Sequence, residues 1–298
     1  MKLVSFEIEG QERPGVIVND VGDILDIQGA MPGITSLNDL VDAGYEAVGG
    51  LAEHIRQSAD KRTVIPASSA RLLAPIPRPH RNIFCVGKNY HEHAKEFHNS
   101  GFDASAGKDA IPDYPIIFSK SFTTVIGPTD AIPASSDWTN SVDYEAELAV
   151  VIGRGGRNIT KSDAYEHVFG YMIVNDVTSR TLQRQHKQWF IGKNLDGFCP
   201  IGPWLVTADE VGNVEELQVT ATVNGELRQC ASVRDLIFDI PTLVETLSRT
   251  MTLRSGDIIA TGTPAGVGIG FDPPKFLKPG DRVSISITNL GTLENSVA

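Results

Sequence analysis

The sequence predicts an α+β chain dominated by strands, with a small N-terminal α+β domain over residues 1–72 and a larger β-rich domain over residues 73–298. Three observations predict it. Short runs of apolar–polar alternation recur, as in Leu217, Val219, Ala221 and Val223 and again in Val283, Ile285 and Ile287. Helical spacing is confined to a few windows and never alternates regularly with strands, which excludes a doubly wound sheet. Between the two parts, Ala74-Pro75-Ile76-Pro77-Arg78-Pro79 is neither helix nor central strand, because its three prolines lack donors and hold their neighbours extended. It reads as a stiff linker.

In the first part, Leu3, Ser5 and Glu7 alternate with Val4, Phe6 and Ile8, and residues 15–19 and 22–27 suggest further short strands joined by turns. A helix follows over about residues 36–56, with Leu37, Leu40, Val41, Leu51 and Ile55 at helical spacing and Gly49-Gly50 expected to break it. In the second part, Thr160-Lys161-Ser162-Asp163 reads as a capping box opening a short helix through Phe169. The strand ending at Val223 runs into Asn224-Gly225, a strong hairpin signal. Pro241 marks the start of a helix over residues 240–248.

The formal net charge of −11 argues against nucleic acid as the natural partner, since that partner needs a basic stripe to displace counterions. An anionic small molecule stays compatible, because a local cation reverses the field inside one pocket. Cys85, Cys199 and Cys230 show no C-x-x-C spacing, which argues for a reducing compartment and against a disulfide framework. The first residues carry acids where a signal peptide needs an apolar run, and no stretch reaches the roughly 18 apolar residues of a membrane span. The expectation is a cytoplasmic protein.

Chemistry concentrates in Asp143-Tyr144-Glu145-Ala146-Glu147-Leu148-Ala149-Val150-Val151-Ile152. As a strand it places Glu145, Glu147, Ala149 and Val151 on one face and Ala146, Leu148, Val150 and Ile152 on the other. Both faces are apolar toward the end, so two glutamates sit side by side near a core. Adjacent anions there repel unless a cation or proton compensates. By itself a Glu-x-Glu is also the ordinary start of a strand leaving solvent. A second apolar strand, residues 170–175, ends in Asp176. Three carboxylates make an all-oxygen site suited to Mg²⁺ or Mn²⁺ rather than Zn²⁺.

From about Leu73 onward the chain resembles the fumarylacetoacetate hydrolase superfamily. The resemblance rests on Val86-Gly87-Lys88-Asn89-Tyr90, His93 with Glu96, Phe118-Ser119-Lys120, the Asp143–Gly153 segment, and Val174-Asn175-Asp176-Val177. Ile191-Gly192-Lys193, Thr261-Gly262-Thr263-Pro264 and Gly291-Thr292-Leu293-Glu294-Asn295 complete it. It implies a mixed β-roll, usually a homodimer, around one Mg²⁺ or Mn²⁺ per subunit held by Glu145, Glu147 and Asp176. It implies a small anionic 2-oxo acid as substrate. Family members cleave acylpyruvates, decarboxylate oxaloacetate, or isomerise and hydrate dienoic acids. The N-terminal extension and the run Gln185–Lys193 are most similar to bacterial members acting on oxaloacetate-like substrates. Relatives commonly carry an acid where this chain has Thr181, after Arg180.

Carried onto this sequence, the resemblance implies His93, Glu96 and Lys193 as catalytic and Lys120, Arg180, Gln183 and Thr263 as substrate-binding. His93 and Glu96 lie three apart and share a face if residues 89–97 are helical, although the pattern alone also fits an exposed helix bearing His91, Glu92 and Lys95. Residues 99–113, small and polar, are expected to form a lid. Gly266-Val267-Gly268-Ile269-Gly270 is not a dinucleotide loop, because Pro273 and Pro274 stand where its helix would begin. The expected activity is C–C bond cleavage of a 2-oxo or 2,4-dioxo acid through a metal-stabilised enolate, by hydrolysis or decarboxylation. An isomerase or hydratase of a hydroxydienoate, and a non-catalytic protein stapled by its metal, are the alternatives.

Overall fold

A computed structural model describes residues 1–57, 64–103 and 110–298. Among them a 12-stranded sheet carries the fold, with a 4-stranded sheet packed on it. At its centre Ala146–Ile152 pairs antiparallel with Val168–Asn175 on one side and with Ile258–Ala260 on the other. Ile258–Ala260 runs parallel to Ile83–Gly87, so the sheet is mixed. Val168–Asn175 pairs with Cys199–Thr207, which pairs in turn with Lys2–Ile8. The strands Gln11–Ile17 and Ile24–Asp26 continue the same sheet outward. Residues 1–72 and 73–298 therefore meet within one sheet, and Ala74 and Ile76 of the proline-rich segment are buried where the chain passes between them.

The central strand is buried along its whole length, as its apolar faces require. Ala146, Leu148, Val150 and Ile152 enter one core with the inner face of the 4-stranded sheet (Val219, Ala221, Ile285) and the helix Ile240–Thr250 (Leu243, Val244, Leu247). Ala149 and Val151 enter the other core, roofed by Leu37, Leu40, Val41 and Leu51 of the N-terminal helix. Each large apolar side chain fully buried in this way contributes about 1.5–3 kcal/mol. The strand end bearing Glu145 and Glu147 is thereby clamped between two packed layers.

Two local expectations are corrected. The helix Leu37–Gln57 breaks at Gly44, with φ 75° and ψ −167°, and not at Gly49-Gly50. Only glycine reaches that conformation cheaply, whereas glycines held in helical geometry merely weaken a helix. Lys161–His167 is a 3₁₀ helix, and Phe169 already lies in the strand that starts at Val168. The Thr160 hydroxyl bonds the Asp163 side chain at 2.8 Å and caps no backbone N–H, so no capping box forms. The Asn224-Gly225 hairpin stands as expected, both residues having positive φ (53° and 81°) between Gln218–Val223 and Glu226–Ser232. Gly225→Val is expected to lower stability by about 1–2 kcal/mol in a denaturant titration, without altering activity. Asp239 caps the helix at Ile240 by accepting from Thr242 N at 2.8 Å. No helix among the described residues is long and apolar enough to cross a membrane.

Candidate metal centre

Strand register builds the centre. Ala146 lies opposite Asn175, so Glu145 and Asp176 stand opposite each other at the ends of neighbouring antiparallel strands, with Glu147 two residues further along the same face. Backbone and side-chain bonds lock this corner: Asp176 N donates to Glu145 O at 2.9 Å, and Glu145 N donates to Asn175 Oδ1 at 3.0 Å. Glu145, Glu147 and Asp176 are all buried and offer carboxylate oxygens within 4.8 Å of one another.

The cations around them are unevenly shared. Lys193 Nζ lies 2.7 Å from both Glu145 Oε2 and Asp176 Oδ2, and Arg180 Nη1 lies 2.7 Å from Glu145 Oε1. Lys120 Nζ lies 2.8 Å from Asp176 Oδ1, but off the line of a hydrogen bond, so that buried oxygen receives charge without a directed donor. Glu147 has no ion pair among the described residues; it accepts Gly262 N at 2.8 Å. The acidities separate accordingly. Burial raises the Glu145 carboxyl, but Lys193 and Arg180 outweigh it and hold its pKa at about 2. Burial, reinforced by the charges of Asp176 and Glu145, pushes Glu147 well above the usual carboxylate range. A carboxylate lacking a cation and a carboxylate oxygen lacking a directed donor are what a hard divalent ion would satisfy, and oxygen donors suit Mg²⁺ or Mn²⁺.

Lys193 is itself shaped by this cluster. Burial lowers its pKa, but Asp176 and Glu145 more than reverse that and keep the ammonium charged. Lys120, fully buried, points its ammonium at Asp176, Val177 O and Lys193 O. It stands behind the carboxylates and is absent from the cavity wall.

A cavity of about 20 Å³, room for roughly one water, opens on the other side of the carboxylates. His93, Arg180, Gln183, Lys193 and Thr263 line it with Glu145 and Glu147, while Phe97, Phe118 and Trp189 form its apolar wall. His93 and Glu96 lie on the helix His91–Asn99, with Nδ1 and Oε2 3.1 Å apart. Its outer face carries the exposed His91, Glu92 and Lys95, so helical pitch sorts a solvated face from the dyad. Glu96 lies behind His93 and off the cavity, with Oε1 accepting Gly266 N at 2.9 Å. The expected lid, residues 99–113, lies in part outside the described residues. Before that point Lys88 Nζ meets Asp103 Oδ2 at 2.7 Å, with both side chains buried.

Two residues of the site carry no role in the sequence reading. Gln229 is fully buried: its Oε1 accepts Ala146 N at 3.0 Å, and its Nε2 donates to Thr263 Oγ1 and Pro264 O, both at 2.7 Å. It ties the Thr263 turn to the strand that bears Glu147. Asp143 is fully buried and accepts Arg180 Nε at 2.8 Å. Its sequence signal is its place at the head of the Asp143–Gly153 segment, two residues before Glu145, where the sequence reading gives it no role.

Comparison with known proteins places this geometry. The profile described as fumarylacetoacetate (FAA) hydrolase C-terminal matches residues 82–298. An oxaloacetate tautomerase of Bacillus subtilis (strain 168) is 46% identical over 309 residues, with 100% of both chains covered. The solved structure of a fumarylacetoacetate hydrolase from psychrophilic Exiguobacterium antarcticum superposes with a TM-score of 0.84 at 41% identity, over 100% of this chain and 99% of that one. The maleylpyruvate hydrolase from Sphingobium sp. SYK-6, solved in complex with manganese (II) ion and pyruvate, superposes with a TM-score of 0.79 at 32% identity, with the same coverage.

Proposed function

The chain belongs to the fumarylacetoacetate hydrolase family, and on that premise we propose that it is a divalent-metal-dependent enzyme interconverting the keto and enol forms of oxaloacetate or a close 2-oxo dicarboxylate. One observation carries the reading: Glu145 and Glu147 of a buried carboxylate triad and His93, hydrogen-bonded from behind by Glu96, line the same cavity. Mg²⁺ or Mn²⁺ bound by the triad supplies Lewis-acid polarisation of the 2-oxo group. The remaining chemistry belongs to the side chains. With Nδ1–H donated to Glu96, His93 keeps a lone pair on Nε2 for the C3 proton, and Glu96 stabilises the imidazolium that forms. The C3–H pair becomes the C2–C3 double bond, the carbonyl pair moves onto the C2 oxygen, and His93 returns the proton there. Arg180, whose Nη2 is buried without an acceptor among the described residues, binds a substrate carboxylate. The Lys193 ammonium offsets charge developing on the C2 oxygen, and Gln183 and Thr263 complete the polar wall. Lys120 acts on Asp176 and not on the substrate.

Proton transfer therefore comes ahead of the C–C cleavage that the sequence alone favours. A relative matched over its full length is an oxaloacetate tautomerase, and the transfer, unlike hydrolysis, needs no attacking water. Hydrolysis of an acylpyruvate is the second reading, supported by the likeness to maleylpyruvate hydrolase and by a cavity with room for one water at His93. A metal staple alone would require no dyad at the cavity. The test follows enol absorbance of oxaloacetate with Mg²⁺ or Mn²⁺ and an EDTA control, with pyruvate and CO₂ measured in parallel. Metal-dependent acceleration of the interconversion is expected, and its absence with either ion overturns the reading. In the same assay His93→Gln is expected to lower kcat by about 10²–10⁴-fold while Mn²⁺ affinity stays unchanged.

A further inference from the structure

We propose that Asp143 is a positioning residue that aims Arg180 into the cavity, and that loop 266–270 holds Asp143 and Glu96 together so that the anion-binding and proton-transfer groups stay in register. The proposal rests on reading this cavity as the substrate site. Four donors converge on the buried Asp143 carboxylate. Oδ1 accepts Gly268 N at 2.6 Å and Tyr144 N at 2.9 Å, and Oδ2 accepts Arg180 Nε at 2.8 Å and Ile269 N at 3.1 Å.

Arg180 is a planar fork, so fixing one edge fixes the direction of the rest. Its Nε is held by Asp143, and its Nη1 by Glu145 Oε1 at 2.7 Å and Gln183 Oε1 at 3.2 Å. Nη2 remains, buried and without an acceptor among the described residues, on a side chain that lines the cavity. Leaving a buried donor unpaired costs about 1–3 kcal/mol, a cost that an incoming carboxylate would remove.

The glycine-rich loop now has an account that nucleotide binding did not supply. Its N–H groups face two internal carboxylates: Gly266 N donates to Glu96, and Gly268 N and Ile269 N donate to Asp143. Its glycines are required by closeness. A Cβ at Gly268 would meet Lys275 O at 2.5 Å and Asp143 Oδ1 at 2.6 Å, and one at Gly270 would meet Glu96 Oε1 at 1.9 Å. One backbone turn therefore sets both the carboxylate that orients His93 and the carboxylate that orients Arg180.

Asp143→Asn tests this, because whichever way the amide turns, its nitrogen faces two N–H donors, Gly268 N with Tyr144 N or Ile269 N with Arg180 Nε, and accepts from neither, so the link between loop and guanidinium is broken at one end. KM for oxaloacetate is expected to rise about tenfold or more, with kcat changing less than about threefold and Mn²⁺ affinity unchanged. In an Arg180→Lys background the same change is expected to add less than about twofold, because its route through the guanidinium is gone. Gly268→Ala approaches the link from the loop and serves if Asp143→Asn does not fold; the same KM-selective effect is expected. Gly270→Ala displaces Glu96 and is expected to lower kcat with KM little changed. Equal and additive KM effects in the two backgrounds would overturn the proposal, as would a crystal structure of Asp143→Asn with the Arg180 guanidinium unmoved. The crystallographic result decides even if the wild type proves inactive on oxaloacetate, an outcome that would remove only the functional reading.

Discussion

Glu147→Gln is expected to abolish metal-dependent turnover and, in the same molecule, to stabilise the metal-free protein. The amide keeps an oxygen for Gly262 N, so the local backbone contact survives. It removes the charge of one of the three proposed ligands, and losing the Lewis acid is worth about 10³-fold or more in kcat. Stability moves the other way because Glu147 is the triad carboxylate without an ion pair among the described residues, and its pKa is pushed up by burial and by the charges of Asp176 and Glu145. A raised folded-state pKa means that the native protein holds this proton more tightly than the unfolded chain. Metal-free wild type therefore loses stability as pH rises from the ordinary carboxylate range through the raised value. The variant lacks that loss and should exceed wild type by about 1–3 kcal/mol at neutral pH. Denaturant titrations in EDTA at several pH values check the sign, and Mn²⁺ titration checks the lost affinity. Equal metal-free stabilities across that range would show that Glu147 carries no such strain.

This divided behaviour of three similar acids marks where sequence reasoning reaches and where it stops. Alternation alone placed Glu145 and Glu147 on one strand face, because side-chain direction in a strand has a period of two, and it correctly implied burial on both sides. Asp176 was legible as an acid ending an apolar strand. That it faces Glu145 depends on the Ala146–Asn175 register, which neither strand encodes by itself. Lys120 illustrates the opposite case. A lysine in a family motif suggested a substrate contact, yet its ammonium turns inward to partners 57 and 73 residues away. Asp143 and Gln229 have no role in the sequence reading for the same reason: apart from its neighbour Tyr144, the partners of the acid lie 37 to 126 residues away, and those of the amide 34 to 83. The helix break at Gly44 was missed because a glycine pair looks like the stronger breaker, whereas backbone dihedrals and not glycine count decide the position.

Lys193→Ala should show how far the centre depends on protein cations when the metal is removed. In the folded chain the carboxylates of Asp143, Glu145 and Asp176 face the cations of Lys120, Arg180 and Lys193, while Glu147 stands beside them without an ion pair among the described residues, so the metal-free cluster is balanced only while Glu147 keeps its proton. Lys193 is the only one of these cations that bridges two of the metal-ligand candidates. Its loss leaves Glu145 and Asp176 with one cation each and a void between them. Breaking a buried pair in this way costs about 3–5 kcal/mol, so the metal-free variant should unfold at markedly lower denaturant than wild type. A divalent ion restores the missing charge only in the folded state, and ligand linkage converts that into stability. The Tm increase on adding Mn²⁺ should therefore be larger for Lys193→Ala than for wild type, while kcat stays depressed by about 10²–10³-fold because the ammonium facing the C2 oxygen is gone. Lys193→Arg separates the two roles: its charge should recover much of the metal-free stability, while its planar fork should not reproduce the bridge that the compact ammonium makes at 2.7 Å to each carboxylate. Equal Mn²⁺-induced shifts in wild type and Lys193→Ala would mean that Lys193 and the metal do not neutralise the same charges.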